Sequence, residues 1–89
     1  MNNGRLVGYV VSSTYRIKVL NFLNKGESIP VKIADGTGIR PNHISKVLRE
    51  LKVKGLIECI NPEARKGRIY SITQMGKKIN EKVKKLEEE

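Results

Sequence analysis

The stretch that decides the fold covers residues 30–51 and reads PVKIADGTGIRPNHISKVLREL. Pro30 and Pro41 each suit the first turn of a helix, because that position needs no hydrogen bond from the backbone N–H that proline lacks. Gly38 lies between them and suits a tight turn, since glycine tolerates a positive φ. The stretch therefore predicts two helices joined by a short turn, over residues 31–37 and about 41–54.

The side chains of this stretch have the spacing that two steeply crossing helices require. Ala34 is small enough for the crossing, and Ile39 follows the turn and can enter the core. Thr37 stands where an apolar residue is more usual, although its methyl group can pack. The second helix has one apolar face with a period of about 3.6 residues, formed by Ile44, Val47, Leu48 and Leu51. Together these spacings predict a helix-turn-helix; an ordinary helical corner is the alternative.

Two apolar segments precede this pair of helices. The segment Leu6–Val11 has an apolar face that favours a short helix, although its β-branched residues would also suit a strand. A second helix should follow, capped by Ser13 or Thr14 and stopped at Gly26. Residues 27–29 are expected to form a brief extended piece.

After the decisive stretch the pattern changes from helical to extended. Two short segments rich in Ile, Leu56–Ile60 and Arg68–Ile72, enclose a turn that contains Pro62 and Gly67, which predicts a β-hairpin. Thr73 can then cap a last helix, whose apolar stripe is Met75, Ile79, Val83 and Leu86.

This order of elements predicts a mainly α-helical fold with a small β-hairpin, a winged helix-turn-helix. A three-helix core with its wing is flanked by an N-terminal and a C-terminal helix. The 89 residues are enough for one domain with one modest core and too few for two. We expect the N-terminal helix at 1–12, the core with its wing at 13–73 and the C-terminal helix at 74–89.

The chain is strongly basic, with 18 Lys and Arg against 9 Asp and Glu and a net charge of +9. Such an excess points to a polyanionic partner, because Lys and Arg displace the counterions condensed on a phosphate backbone. A lysine-rich surface that binds nothing specific is the alternative.

Several function classes are disfavoured by what the sequence lacks. One Cys and one His exclude an internal disulfide and argue against a metal site. The sequence shows no phosphate loop, nucleophile elbow or paired histidines, so we expect no enzyme, no metal, no cofactor and no evident small-molecule ligand. The start has no signal-peptide pattern, and the apolar run Leu6–Val11 is too short to span a bilayer. A cytoplasmic protein without a membrane partner is therefore expected.

The run from Gly38 to Ile57 resembles the recognition helix and following strand of winged-helix regulators of the ArsR and MarR type. From Ser13 to Leu86 the chain resembles more closely small archaeal winged-helix transcriptional regulators. The matching segments are YRIKVL (15–20), LxxLxxxGLI (48–57) and RIYSITxxG (68–76). The resemblance implies a sequence-specific transcriptional regulator that binds double-stranded DNA.

The outward set of the predicted recognition helix, about 41–54, contains no acid and consists of Asn42, Ser45, Lys46 and Arg49. At about 100° per residue, the polar and basic side chains oppose the apolar face, and such side chains can pair with base edges in the major groove. The N-terminal part of the second helix enters the groove. The base-reading candidates, called the reading face below, are Arg40, Asn42, His43, Ser45 and Lys46. A solvated helix face is the alternative for each residue.

Other residues are candidates for contacts with the DNA backbone. Arg49 lies one turn beyond the reading face, and Lys32 lies at a helix start whose N–H groups can hold a phosphate. Ser13, Thr14 and Arg16 are weaker candidates. The wing, residues 61–68, can reach the minor groove or its phosphates through Arg65, Lys66 and Arg68.

Two apolar terminal helices indicate a homodimer that forms through the N-terminal helix, the C-terminal helix or both. The reason is that a fold of this size was not expected to cover the face of Leu6–Val11. A monomer that folds both helices back is the alternative.

Two other functions stay open. One is a winged-helix protein-interaction module of a larger assembly, which the basic face disfavours because interface cores are depleted in lysine. The other is a nonspecific architectural DNA-binding protein, against which Asn42 and His43 argue, since both can read bases.

Overall fold

The computed structural model describes residues 3–88, so residues 1, 2 and 89 of the predicted terminal helices lie outside it. Within that range the chain forms five helices and two strands. In order they are α1 (Asn3–Val11), α2 (Thr14–Lys25), α3 (Pro30–Thr37), α4 (Pro41–Val53), β1 (Ile57–Cys59), β2 (Tyr70–Ile72) and α5 (Gln74–Glu87). This confirms the mainly helical winged helix-turn-helix fold with its hairpin, and it makes the first segment a helix.

Local chemistry sets the ends of the helices as the sequence predicts. Ser13, and not Thr14, caps α2, with its hydroxyl accepting a hydrogen bond from the N–H of Arg16 at 3.3 Å. The helices α3 and α4 both begin with proline. Gly38 ends α3 in the left-handed conformation, with φ 76°, and its N–H donates to the carbonyl of Ala34. A side chain at that φ would be strained, so glycine is the residue that the turn favours.

The hairpin is antiparallel and pairs Ile57 with Ile72, Glu58 with Ser71 and Cys59 with Tyr70. Both strands are shorter than predicted, although a backbone hydrogen bond of 2.9 Å from Ile60 to Ile69 continues the pairing toward the wing. The predicted extended piece is also present: Ser28 pairs with Tyr70 through two backbone hydrogen bonds of 3.0 and 2.8 Å. The hairpin is thereby joined to the segment that precedes α3.

The core is aliphatic and centred on α2, which contacts α1, α3, α4, α5 and β2. Three of its residues are buried, Val19, Leu20 and Leu23. Burying a side chain of this type stabilises a fold by about 1.5–3 kcal/mol. The helix-turn-helix adds Ile33, Ala34, Ile39, Ile44, Val47, Leu48 and Leu51 to the same cluster.

The N-terminal helix is covered by its own chain, which corrects the expectation that a fold of this size leaves its apolar face open. α1 packs against α2 and α5, and Leu6 and Val10 are only 6% and 0% exposed. On α5, Ile79 and Val83 are buried as well, whereas Leu86 is half exposed. On these two helices, the exposed apolar surface that a second copy could cover is therefore at Val11 and Leu86.

The start of α5 lies close against residues 55–56, which connect α4 to β1. The hydroxyl of Thr73 donates to the carbonyl of Gly55 at 2.7 Å and accepts from the N–H of Gly76 at 3.0 Å. A Cβ at Gly76 would overlap the carbonyl oxygen of Leu56, so this approach requires glycine. Among the helices of residues 3–88, none has the length and apolar character needed to cross a bilayer.

Candidate nucleic-acid interface

Helix α4 is strongly amphipathic and presents the whole reading face to solvent. Its four predicted core residues, from Ile44 to Leu51, are at most 4% exposed, and this burial determines which side of the helix faces outward. Arg40, Asn42, His43, Ser45 and Lys46 are all exposed, as is Arg49. The hydroxyl of Ser45 donates to the carbonyl of Pro41 at 3.4 Å, so its oxygen remains available as an acceptor.

Helix α2 supplies an aromatic neighbour to the reading face. The rings of Tyr15 and His43 lie 5.3 Å apart and are tilted by 53°. This separation is within the range of favourable aromatic pairs. The proximity of Tyr15 to His43 could not be predicted from the sequence, because the two residues lie on different helices and no periodicity links them.

The wing is held by its own hydrogen bonds. The side-chain oxygen of Asn61 accepts from the N–H of Ile69 at 2.6 Å, and its amide nitrogen donates to the carbonyl of Gly67 at 3.2 Å. The Nε of Arg68 donates to the carbonyl of Ala64 at 2.8 Å. Arg65 and Lys66 are exposed at the tip. Asn61 was not among the predicted residues of the wing, although Asn before Pro is a recognised start of a turn.

A cleft of about 360 Å³ lies between the wing and the N-terminal ends of α3 and α4. Ser45 of the reading face borders it on one side, and Arg65, Lys66 and Arg68 border it on the other. A neighbouring recess brings Arg49 and Lys52 of α4 together with Arg68. The structure thus assembles residues from distant parts of the sequence into one basic surface, including Lys52, which the sequence analysis did not select.

The remaining backbone candidates are more scattered. Lys32 is exposed in the first turn of α3 and Thr14 in the first turn of α2, whereas Ser13 is half-buried as a helix cap. Neither Lys32 nor Thr14 is among the residues that line the two recesses beside the wing. Ser13 instead borders a separate recess with His43 and Lys46 of the reading face.

Arg16 departs from its predicted role as a phosphate contact. Its guanidinium donates to both carboxylate oxygens of Glu50 at 3.2 Å, and to the carbonyl of Tyr9 and the hydroxyl of Ser12 at 2.8 and 3.0 Å. Its side chain is only 17% exposed. The guanidinium is therefore committed to protein acceptors, which argues against a contact with DNA. The ion pair with Arg16 also offsets the negative charge of Glu50, the acidic residue of α4. Glu50 therefore repels a polyanion less than an unpaired carboxylate would.

The chain is similar in fold to solved structures of transcription regulators. No family model matches the chain. A MarR-family transcription regulator is 23% identical, with a TM-score of 0.76 over 84% of this chain and 51% of that one. A second similar structure, solved by NMR, is a homodimeric winged helix-turn-helix DNA-binding domain from Mycobacterium bovis, a possible ArsR-family transcriptional regulator. It is 25% identical, with a TM-score of 0.71 over 96% of this chain and 75% of that one.

Two further similarities extend this picture. A crystal structure of fragment 1–100 of a possible transcriptional regulatory protein from Mycobacterium bovis is 27% identical, with a TM-score of 0.75 over 98% of this chain and 92% of that one. The phenylalanine–tRNA ligase alpha subunit of Metallosphaera sedula is 35% identical over 66 residues, or 73% of this chain. The chain spans only 14% of the length of that subunit. The archaeal part of the predicted resemblance stays a prediction, whereas the winged helix-turn-helix fold, shared with MarR-family and ArsR-like regulators, is established.

Proposed function

We propose that this protein is a sequence-specific transcriptional regulator that binds double-stranded DNA. The recognition helix, about 41–54, enters the major groove, and the wing, residues 61–68, lies on the minor groove or its phosphates. One observation carries the proposal: Ser45 of the exposed reading face and the cations of the wing border the same cleft. A helix that packs its apolar face inward and carries amide and cationic groups outward is the element that reads base edges.

Each part of this surface has its own role in the proposal. Asn42 pairs with adenine, and Arg40 or Lys46 with guanine, because these side chains match the donors and acceptors of those bases. His43 and Ser45 complete the reading face. Lys32, Arg49, Ser13 and Thr14 contact phosphates, as do the cations of the wing, and Arg16 is left out of this set.

The proposal includes a homodimer. The homodimeric DNA-binding domain among the structural neighbours supports it. In the present chain, Val11 at the end of α1 and Leu86 near the end of α5 are 39% and 50% exposed, which leaves apolar surface for a second copy. A twofold dimer would read half-sites about 34 Å apart, or a multiple of that distance. Such a regulator is a binding protein of the cytoplasm and not an enzyme.

A second candidate function is a winged-helix module of a larger assembly. The similarity to a tRNA ligase subunit favours it, because the match covers a small part of a much longer protein. In that case the basic surface would bind RNA or an acidic protein. An architectural, nonspecific DNA-binding role is the third possibility.

The experiment that separates these candidates is selection from a random pool of duplex DNA, followed by titration at several salt concentrations. A regulator yields an enriched sequence, and log K falls with log salt by about 0.9 for each phosphate contacted. Duplex RNA of the same sequence and a scrambled DNA duplex are the controls. Equal affinity for all DNA duplexes would support the architectural role, and preference for RNA or no duplex binding at low salt would support the assembly module.

A further inference from the structure

Arg16 joins three helices at the edge of the reading face. It belongs to α2, forms a bidentate ion pair with Glu50 of α4, and donates to the carbonyl of Tyr9 of α1. The guanidinium carbon also lies 3.8 Å from the centre of the Tyr9 ring, and Nζ of Lys54, at the end of α4, lies 5.0 Å from the same centre. α1 is thus linked to both the middle and the end of the recognition helix by charged groups.

The position of Glu50 on α4 explains why these contacts matter for the reading face. Glu50 follows Lys46 by four residues and His43 by seven, so the three side chains share one flank of the helix. Arg16 and Glu50 line a recess of about 260 Å³ together with Tyr15, His43 and Lys46. The ion pair therefore borders the same recess as two members of the reading face, His43 and Lys46.

We infer that Arg16 is a positioning residue: acting through Glu50, and held by Tyr9, it fixes the rotation of α4 about its own axis. The buried apolar face sets which side of α4 faces outward, but apolar burial is non-directional and leaves the finer rotation of the helix to directional contacts. A bidentate guanidinium–carboxylate pair has a defined geometry and supplies the missing constraint. The inference rests on the proposed function, since its consequence is the aim of the reading face at the base edges.

Two variants and two charge-matched controls test this role in the full-length chain. Glu50→Gln removes the ion pair and one negative charge, and Glu81→Gln removes an exposed negative charge from α5. Arg16→Lys keeps the positive charge but loses the two parallel hydrogen bonds to Glu50. Its control, Lys18→Arg, also conserves the charge and lies on the same helix. The measured quantity is selectivity, the ratio of Kd for a scrambled duplex to Kd for the duplex that the unaltered protein selects.

The sign of the effect at Glu50 separates positioning from electrostatics. Removing an acid near DNA should tighten all binding if charge alone matters. Positioning predicts the opposite for the selected duplex: selectivity falls about tenfold in Glu50→Gln and in Arg16→Lys, and stays within about twofold in both controls. Glu50→Gln with unchanged selectivity, or with tighter binding to the selected duplex, would overturn the inference.

Hydrogen exchange tests the same role without DNA. Both variants should speed the exchange of α4 amides more than that of α5 amides, because a local change in one helix leaves the rest of the fold protected. An equal increase in both helices would reduce Arg16 to a general stabilising residue. If either variant fails to fold, Tyr9→Leu provides a further test, because it removes the ring beside Arg16 and keeps the charges of Arg16 and Glu50. Tyr9→Leu should then show the same faster exchange in α4, in weaker form. Unchanged exchange in α4 would also overturn the inference. Failure of the unaltered protein to select any duplex would instead reject the proposed function.

Discussion

Asn61 and Ile69 close the wing at its base, with the side-chain oxygen of Asn61 only 2.6 Å from the backbone nitrogen of Ile69. The amide nitrogen of the same side chain donates to Gly67, so one residue bonds to two points of the returning chain. The exposed cations Arg65 and Lys66 lie in the loop between Asn61 and the first of these points, Gly67. The wing thus presents its charges from a closed loop, although its paired strands are short.

We expect Asn61→Ala to loosen the wing. The loss of two hydrogen bonds should lower the free energy of unfolding by about 1–2 kcal/mol, and the backbone of residues 64–67 should become more mobile. Urea denaturation and NMR order parameters measure these effects. Asn61→Asp keeps the acceptor for Ile69 and should retain part of the stability. Unchanged order parameters in Asn61→Ala would show that the hydrogen bonds of Asn61 are not needed to keep the wing rigid.

Asn42→Ala should relax sequence discrimination. If Asn42 pairs with a base, its removal lowers discrimination at one or two positions by about 1–3 kcal/mol each and leaves the other positions unchanged. A panel of duplexes, each with one substitution in the selected site, measures this directly. A uniform loss of affinity over the panel would contradict the base-reading role and favour architectural binding.

Lys66→Ala should weaken binding to all duplexes about equally. A phosphate contact carries no sequence information, so its loss reduces the slope of log K against log salt by about one unit. Lys78→Ala removes the same charge from the exposed side of α5 and serves as the control. Equal slopes for the two variants would place Lys66 outside the interface.

Two glycine substitutions should change stability in opposite directions. In Gly76→Ala the new methyl group would overlap the carbonyl of Leu56, and overpacking of this kind lowers the free energy of unfolding by about 1–3 kcal/mol. Gly8 is exposed in α1 with open space around it, so Gly8→Ala should stabilise the protein by about 0.5–1 kcal/mol. Thermal or urea denaturation of both variants provides the comparison, and a neutral Gly76→Ala would mean that α5 can shift.

Most of the helix-turn-helix could be predicted from sequence, because local residues set the ends of its helices. Pro30, Gly38 and Pro41 act on the backbone of their own turns, and the apolar period of α4 identifies its buried face without reference to any other element. The exposure of the reading face follows from that period. The roles of its side chains toward DNA stay predictions, because they depend on a partner.

The sequence by itself determined where α3 and α4 begin, where α3 ends, and which side of α4 is apolar. Only the tertiary structure decided what each side meets. Arg16 carries a guanidinium that could bind a phosphate, but its acceptor Glu50 lies 34 residues away in the sequence. A pairing over that distance depends on how α2 and α4 cross. The cover of Leu6 and Val10 likewise comes from α5 at the other end of the chain. Periodicity reports the polarity of a face, whereas its partner is set by the packing of the whole chain.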